Sequence, residues 1–158
     1  MLKKAKPFII SILIALAVGG LSALITRNNM DIYNDIVVPP LSPPSTVFPV
    51  VWTILFILMG ISSALVYVNR SKNSDAAVEG LVYYAISLFF NFMWSIIFFN
   101  FRSFLFAFIW LLILWVLIIL TIRKYAEVSP LAAYLQIPYF LWVTFAAYLN
   151  FGIYYLNR

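Results

Sequence analysis

The stretch SFLFAFIWLLILWVLIIL, Ser103 to Leu120, carries no charge and almost no polarity between its ends. It belongs to an uncharged run that lies between Arg102 and Arg123. At about 1.5 Å of rise per residue, about twenty residues of helix span the roughly 30 Å hydrocarbon core of a bilayer. Working outward, charge clusters bound four more such runs, so that helices are expected over about 7–26, 46–69, 80–101, 103–122 and 130–156. Lipid satisfies no backbone polar group, and the runs lack the alternation of a membrane β-barrel, which leaves helices. The composition agrees: 65% hydrophobic and 9% charged residues lie far from the soluble range. The expected fold is therefore an all-α membrane protein, a single bundle of five transmembrane helices forming one domain over residues 1–158. The first run follows lysines as a signal peptide does, but it is too long and no small-residue cleavage site follows, so it reads as a retained helix.

Charge also orients the chain. Lys3, Lys4, Lys6, Arg70, Lys72, Arg123 and Lys124 fall on one side, with Arg27, Arg102 and Arg158 opposite. The positive-inside bias then puts the N-terminus in the cytoplasm and the C-terminus outside. This asymmetry accounts for the net charge of +5 through anionic lipid head groups, and nothing in it points to nucleic acid.

The chain has no His and no Cys, and no acid or base well inside any run. The commonest zinc and haem ligands are thus missing, as is the intramembrane charge that ion-coupled pumps and proton relays use. No Ser/His/Asp set, glycine-rich phosphate loop or closely spaced carboxylate pair is present. What remains inside the membrane is aromatic, at 19% of residues, with scattered Asn, Ser, Thr and Gln. Such side chains suit stacking against a flat apolar molecule, oriented by a few hydrogen bonds. No cofactor is required by any motif.

Several features stand out along the runs. Ser11, Ala15, Gly19 and Ala23 put small residues on one face of the first helix, for packing either against another subunit or against a neighbour in the same bundle. The segment VVPPLSPPSTVFPVVW, Val37–Trp52, is stiffened by Pro39, Pro40, Pro43 and Pro44, which cannot continue a helix. It reads as a semi-rigid loop: by its residues alone first a helix-stop device, and otherwise a lid across the outer mouth of the bundle. Ser45 reads as the N-cap of the second helix, with Pro49 in its first turn. Trp52, Phe56, Gly60 and Ser63 form a stripe on that helix, with Gly60 and Ala64 allowing close packing. In NFMWSIIFFN the residues Asn91, Trp94, Ser95 and Phe98 share a face, and the mid-span Asn91 amide needs a partner. The fourth helix is assigned to lipid contact and packing. Ser129 reads as an N-cap before Pro130, and Pro138 inside the fifth helix predicts a kink beside Trp142 and Ala146. Leu149, Tyr154 and Arg158 fit the loose cholesterol-recognition pattern, which an interfacial Tyr with a snorkelling Arg also satisfies.

Taken together, VPPLSPPSTVFPVVWTILFILMGISSALV, NFMWSIIFF and VSPLAAYLQIPYFLWVTFAAYLNFGIYYLN, preceded by Gly19-Gly20 and Arg27, resemble the translocator protein (TspO/MBR) family in order and spacing over nearly the whole chain. The resemblance implies a five-helix bundle, commonly a homodimer, with a pocket near one end covered by the loop 27–44. The proline segment is then a lid. Implied ligands are protoporphyrin IX, haem, sterols and synthetic drugs of the benzodiazepine class. The implied ligand-binding residues are Trp52, Asn91, Trp94, Trp142 and Ala146, with Tyr33 and Pro43 in the lid; Ser95 joins them from its face shared with Asn91. Where Leu41 stands, family members often have Trp. A receptor or sensor in a bacterial cell membrane, contacting lipid and a porphyrin-like molecule, is the leading expectation. Light- and oxygen-dependent porphyrin degradation, or porphyrin or sterol transport, are the alternatives, and no catalytic motif supports an enzyme.

Overall fold

A computed structural model describes residues 2–158, with side chains from Lys4 onward; the side chain of Lys3 lies outside the described residues. The five expected runs form five long helices, each apolar and long enough to cross a membrane. They are α1 (Leu2–Thr26), α2 (Val47–Val68), α3 (Ser74–Ser95), α4 (Phe104–Ala126) and α5 (Pro130–Leu156). A 3-10 helix, Arg27–Asn34, continues α1, and a π-helical turn, Ile96–Asn100, continues α3.

Three helices extend beyond the charge-bounded runs, α1 among them, which begins at Leu2. α3 starts at Ser74 because the Asn73 side chain accepts the Ala76 N–H at 3.2 Å, with Asp75 in the positively polarised first turn. α4 continues to Ala126, its last turn carrying Arg123 and Lys124, where cations complement the exposed carbonyls. Charge marks a membrane boundary, and a helix does not have to stop there. At α5 the expected cap is present: Ser129 Oγ accepts the Ala132 N–H at 3.4 Å, and Pro130 is the first helical residue. At α2 the expectation fails. Ser45 is not the N-cap; Thr46 precedes the helix without a side-chain cap, and the Pro44 carbonyl takes the Val47 N–H at 3.0 Å. A turn of the proline segment does there what a hydroxyl does elsewhere. Pro49 lies in the first turn as expected, and α5 runs unbroken through Pro138.

α4 packs between α3 and α5, α1 lies on α2, and α2 also meets α5. The core includes Met59, Val66, Leu111, Leu114, Ile118, Tyr139 and Val143. Part of the small-residue face of α1 packs within the chain: Ala15 is buried and a Cβ on Gly19 would meet the Phe56 ring at 2.3 Å, while Ala23 is exposed. The tightest crossing is at Gly60, where a Cβ would fall 2.5 Å from Ile12 Cα, so only glycine lets these two backbones approach.

Polar groups inside the apolar bundle are bonded between helices. Gln136 Nε2 donates to Ser62 Oγ at 3.1 Å, and Ser62 Oγ donates to the Ala132 carbonyl at 2.7 Å. Ser63 Oγ and Tyr125 Oη lie 2.7 Å apart. Two indole N–H groups of α4 are bonded in the same way: Trp110 donates to the Phe90 carbonyl at 2.8 Å and Trp115 to Thr144 Oγ1 at 2.9 Å. Without water to compete, each unmade bond here would cost about 1–3 kcal/mol.

Candidate functional site

The segment between α1 and α2 is held in place along its length. Its 3-10 helix buries Ile32 and joins the end of α3 through Asn29 Nδ2 donating to Asn100 Oδ1 at 2.8 Å. Farther on, the Val37 N–H donates to Asn157 Oδ1 at 2.9 Å while Asn157 Nδ2 donates to the Val37 carbonyl at 2.8 Å, a two-point clamp on the backbone. Pro39 is buried against Gly152 of α5, where a Cβ would lie 2.6 Å from the proline ring. Tyr148 Oη donates to the Pro40 carbonyl at 2.8 Å. Ser42 N–H returns to the Pro39 carbonyl at 3.3 Å, closing a turn that puts Leu41 at φ 67°. The prolines limit the conformations to be lost, and α5 fixes the one that remains.

Beneath this segment lies a cavity of about 400 Å³, between α1, the 3-10 helix, α2 and the end of α3. Tyr33, Phe48, Trp52, Phe56, Trp94 and Phe99 give it aromatic walls. Tyr33 stacks on Phe48 with centroids 5.7 Å apart and planes 11° apart, and Trp52 stacks on Phe56 at 5.6 Å. The π turn follows Ser95 directly, burying Phe98 and leaving Phe99 in the wall; such turns are a recurrent feature of functional sites.

The polar groups divide into those already committed and those still free. Asn91 Nδ2 donates to Tyr139 Oη at 2.9 Å, which supplies the partner its mid-membrane position demands. Its Oδ1 and the Ser95 hydroxyl accept or donate no other bond among the described residues, and both residues line the cavity. Trp94 Nε1 donates to Asn150 Oδ1 at 3.0 Å, and Asn150 Nδ2 donates to the Phe104 carbonyl at 2.8 Å, so one amide fixes the indole and ties α3, α4 and α5 together. Asp31 is the one charged side chain among the lining residues described. No group of three or more His, Cys, Asp or Glu comes together among the described residues.

Of the residues expected from the sequence, Tyr33, Trp52, Asn91, Trp94 and Ser95 line this cavity; Pro43, Trp142 and Ala146 do not. Pro43 is half-buried in the overlying segment, and Ala146 is buried on α5. Trp142 stands edge-on to Phe48 at 5.9 Å, and its Nε1 is buried with no partner, unlike those of Trp94, Trp110 and Trp115. Sequence reasoning missed Phe48, Asp31, Tyr139 and Asn150. Asn150 had the same signal as Asn91, an amide inside an apolar run. Tyr139 becomes legible only when two helices are placed together.

The comparisons with known proteins agree with this architecture. Residues 11–156 match the TspO/MBR family. The chain is 44% identical over 125 residues to the tryptophan-rich protein TspO of Chlorobaculum tepidum, covering 79% of this chain and 78% of the relative. It is 34% identical over 148 residues to a protein of the same name from Archaeoglobus fulgidus, covering 93% and 94%. To the translocator protein of Ovis aries it is 34% identical over 126 residues, covering 80% and 75%.

Proposed function

The chain belongs to the TspO/MBR family, and on that premise we propose that it is a membrane receptor or sensor that takes protoporphyrin IX, haem and other flat apolar ligands into the cavity beneath the lid. One observation carries this reading: stacked aromatic walls enclose uncommitted acceptor and donor groups, Asn91 Oδ1 and Ser95 Oγ, under a segment already fixed in place. The volume lies within the range of small-molecule sites, about 300–1,000 Å³. A macrocycle enlarges the cavity by turning Phe48, which brings in Trp142 and Ala146 and gives the Trp142 N–H the partner it lacks. Pro43 acts through the lid. Asp31 repels carboxylates, so a ring bearing acidic side chains directs them outward, toward the exposed Arg27.

Titration of the purified protein with protoporphyrin IX in the dark, following tryptophan quenching, tests the proposal. Saturable binding should weaken about tenfold in Trp52→Phe, Asn91→Ala and Trp142→Phe, as expected for loss of one stacking or hydrogen-bonding contact. Linear quenching of equal slope in all four proteins would mean partitioning into detergent and would overturn it. We further place the N-terminus in the cytoplasm of a bacterial cell and propose a homodimer through the exposed apolar face of α1, which includes Ile9, Leu13 and Leu24. Single cysteines at Lys4 and Arg158 in this cysteine-free chain report the first by membrane-impermeant labelling. Crosslinking through Leu13→Cys reports the second.

A further inference from the structure

A second cavity, about 560 Å³, lies at the opposite end of the bundle between α1, α2 and α3. Lys6 is its one charged lining residue, Ile10, Ile14 and Leu88 supply apolar wall, and the hydroxyl-bearing residues are Ser11, Ser63, Tyr67 and Tyr84. No acid is among the lining residues described, so its electrostatics are the reverse of those at the Asp31 cavity.

Tyr84 is the informative group. It is 6% exposed, and its Oη is buried with no hydrogen-bond partner among the described residues. The Ser63 hydroxyl is its nearest polar neighbour; it lies 2.7 Å from Tyr125 Oη and does not reach Tyr84 Oη with hydrogen-bond geometry. In an apolar bundle where Gln136, Asn150 and most indoles are satisfied, an unpaired hydroxyl on a ring that lines a cavity gains a partner when the ring turns its Oη toward that space. Ser11 lies five residues beyond Lys6 along α1, about 7.5 Å of helix rise deeper. The cavity therefore asks for an anion at its rim and a hydrogen-bond acceptor farther in, followed by hydrocarbon.

We infer that this cavity is a binding site for an anionic glycerophospholipid, with its phosphate at Lys6, an acyl-ester carbonyl accepting from Tyr84 Oη once the ring turns toward the cavity, and one chain against Ile10, Ile14 and Leu88. A free fatty acid has its only polar group at the head and leaves Tyr84 unmet. A zwitterionic lipid supplies the ester but gains less from Lys6. The end of the bundle that holds the cavity also carries Lys4, Arg70 and Lys72, a basic rim suited to an anionic leaflet. This inference stands apart from the porphyrin proposal, since the two cavities share no lining residue.

The test is native mass spectrometry of the full-length protein, delipidated in detergent and offered equal amounts of dioleoyl phosphatidylglycerol, dioleoyl phosphatidylcholine and oleate. One phosphatidylglycerol should be retained in preference. Lys6→Gln should lower that retention about fivefold relative to phosphatidylcholine, the effect of one interfacial cation. Tyr84→Phe should lower retention of both phospholipids severalfold and leave oleate unchanged. A thermal melt separates this from a structural role. Because the free hydroxyl is unpaired, lipid-free Tyr84→Phe should melt no lower than the wild type, while the rise in Tm given by phosphatidylglycerol shrinks. Equal retention of the three lipids, unchanged retention in both variants, or a lower lipid-free Tm for Tyr84→Phe would each overturn the assignment.

Discussion

The seam of α3, α4 and α5 and the flank formed by α1 on α2 are built from the same kind of sequence but packed differently. In the seam, Leu111, Leu114 and Ile118 of α4 are buried, and the indoles of Trp94, Trp110 and Trp115 all donate to partners on other helices or carbonyls. On the flank, 11% of α1's most apolar stretch is buried, against 44% of α2's. α1 touches α2 at a waist, where Ile12 meets Gly60, Ala15 is buried and Gly19 meets Phe56. A cavity opens at each end of that contact, one lined by Gly19, Ala23 and Thr26, the other by Lys6, Ile10 and Ile14. Dispersion and interhelical hydrogen bonds hold membrane helices together, since lipid is as apolar as leucine. A helix with few polar partners and one close crossing is therefore free to leave space above and below it. The seam is closely packed, and the flank leaves the two cavities.

The strongest way to break this contrast is to remove the waist. Gly60→Leu drives a side chain into the Ile12 backbone, which cannot yield as a flexible side chain can, and should destabilise by about 3 kcal/mol. Melting in detergent should fall by many degrees, and ligand binding at the lid cavity should be lost with it. Gly20→Leu is the matched control: a Cβ there meets nothing within 4 Å, so its melt should stay near the wild type. If the two variants melt alike, α1 is not held at Gly60. Next in size is a cut in the seam. Asn150→Leu leaves the Trp94 N–H without a partner and removes the tie to the Phe104 carbonyl, which keeps its own helical bond, and should cost about 2 kcal/mol. Trp94 emission should shift as its indole is released. An unchanged spectrum would mean that packing alone positions the ring.

Much of this was legible in the sequence, for identifiable reasons. Runs free of charge marked five membrane spans, because length and apolarity suffice for that statement. Their ends were less legible: the charge limit at Glu79 hid an α3 that begins at Ser74, since the Asn73 cap works outside the hydrocarbon. Ser45 was misread because a capping residue and a proline turn satisfy the same N–H groups, and local sequence does not say which is used. At the cavity, Asn91, Trp94 and Ser95 were legible through helical spacing on one helix. Phe48, Tyr139 and Asn150 depend on how two or three helices meet, which periodicity within one helix does not contain.

Smaller changes sharpen the lid's place between flank and seam. The lid is covalently part of the flank, but its clamp is on α5, through Asn157 to both the N–H and the carbonyl of Val37. Asn157→Ala removes two exposed bonds, worth about 1 kcal/mol together. The bundle should melt as the wild type does, while bound protoporphyrin IX dissociates about fivefold faster, the rate equivalent of that energy. A slower release, or none faster, would show that the lid does not gate the cavity.

The smallest effect is expected at the tip. The turn from Pro39 to Ser42 puts a positive φ at its third position, where glycine is the usual residue, yet Leu41 sits there at φ 67° and 84% exposed. Left-handed backbone costs a residue with a Cβ about 1–2 kcal/mol, and glycine gives back about half of any relief through the entropy of its unfolded chain. Leu41→Gly should thus stabilise the lid by about 0.5 kcal/mol, Leu41→Ala should change little, and the β-branched Leu41→Val should weaken it by about as much as glycine strengthens it. Limited proteolysis within residues 35–46 would report this order as cutting rates, slowest for Gly and fastest for Val. The reverse order would mean that the Leu41 side chain contributes more through the surface it meets in the lipid interface than its backbone loses. The tip would then be anchored from outside the protein as well as from α5.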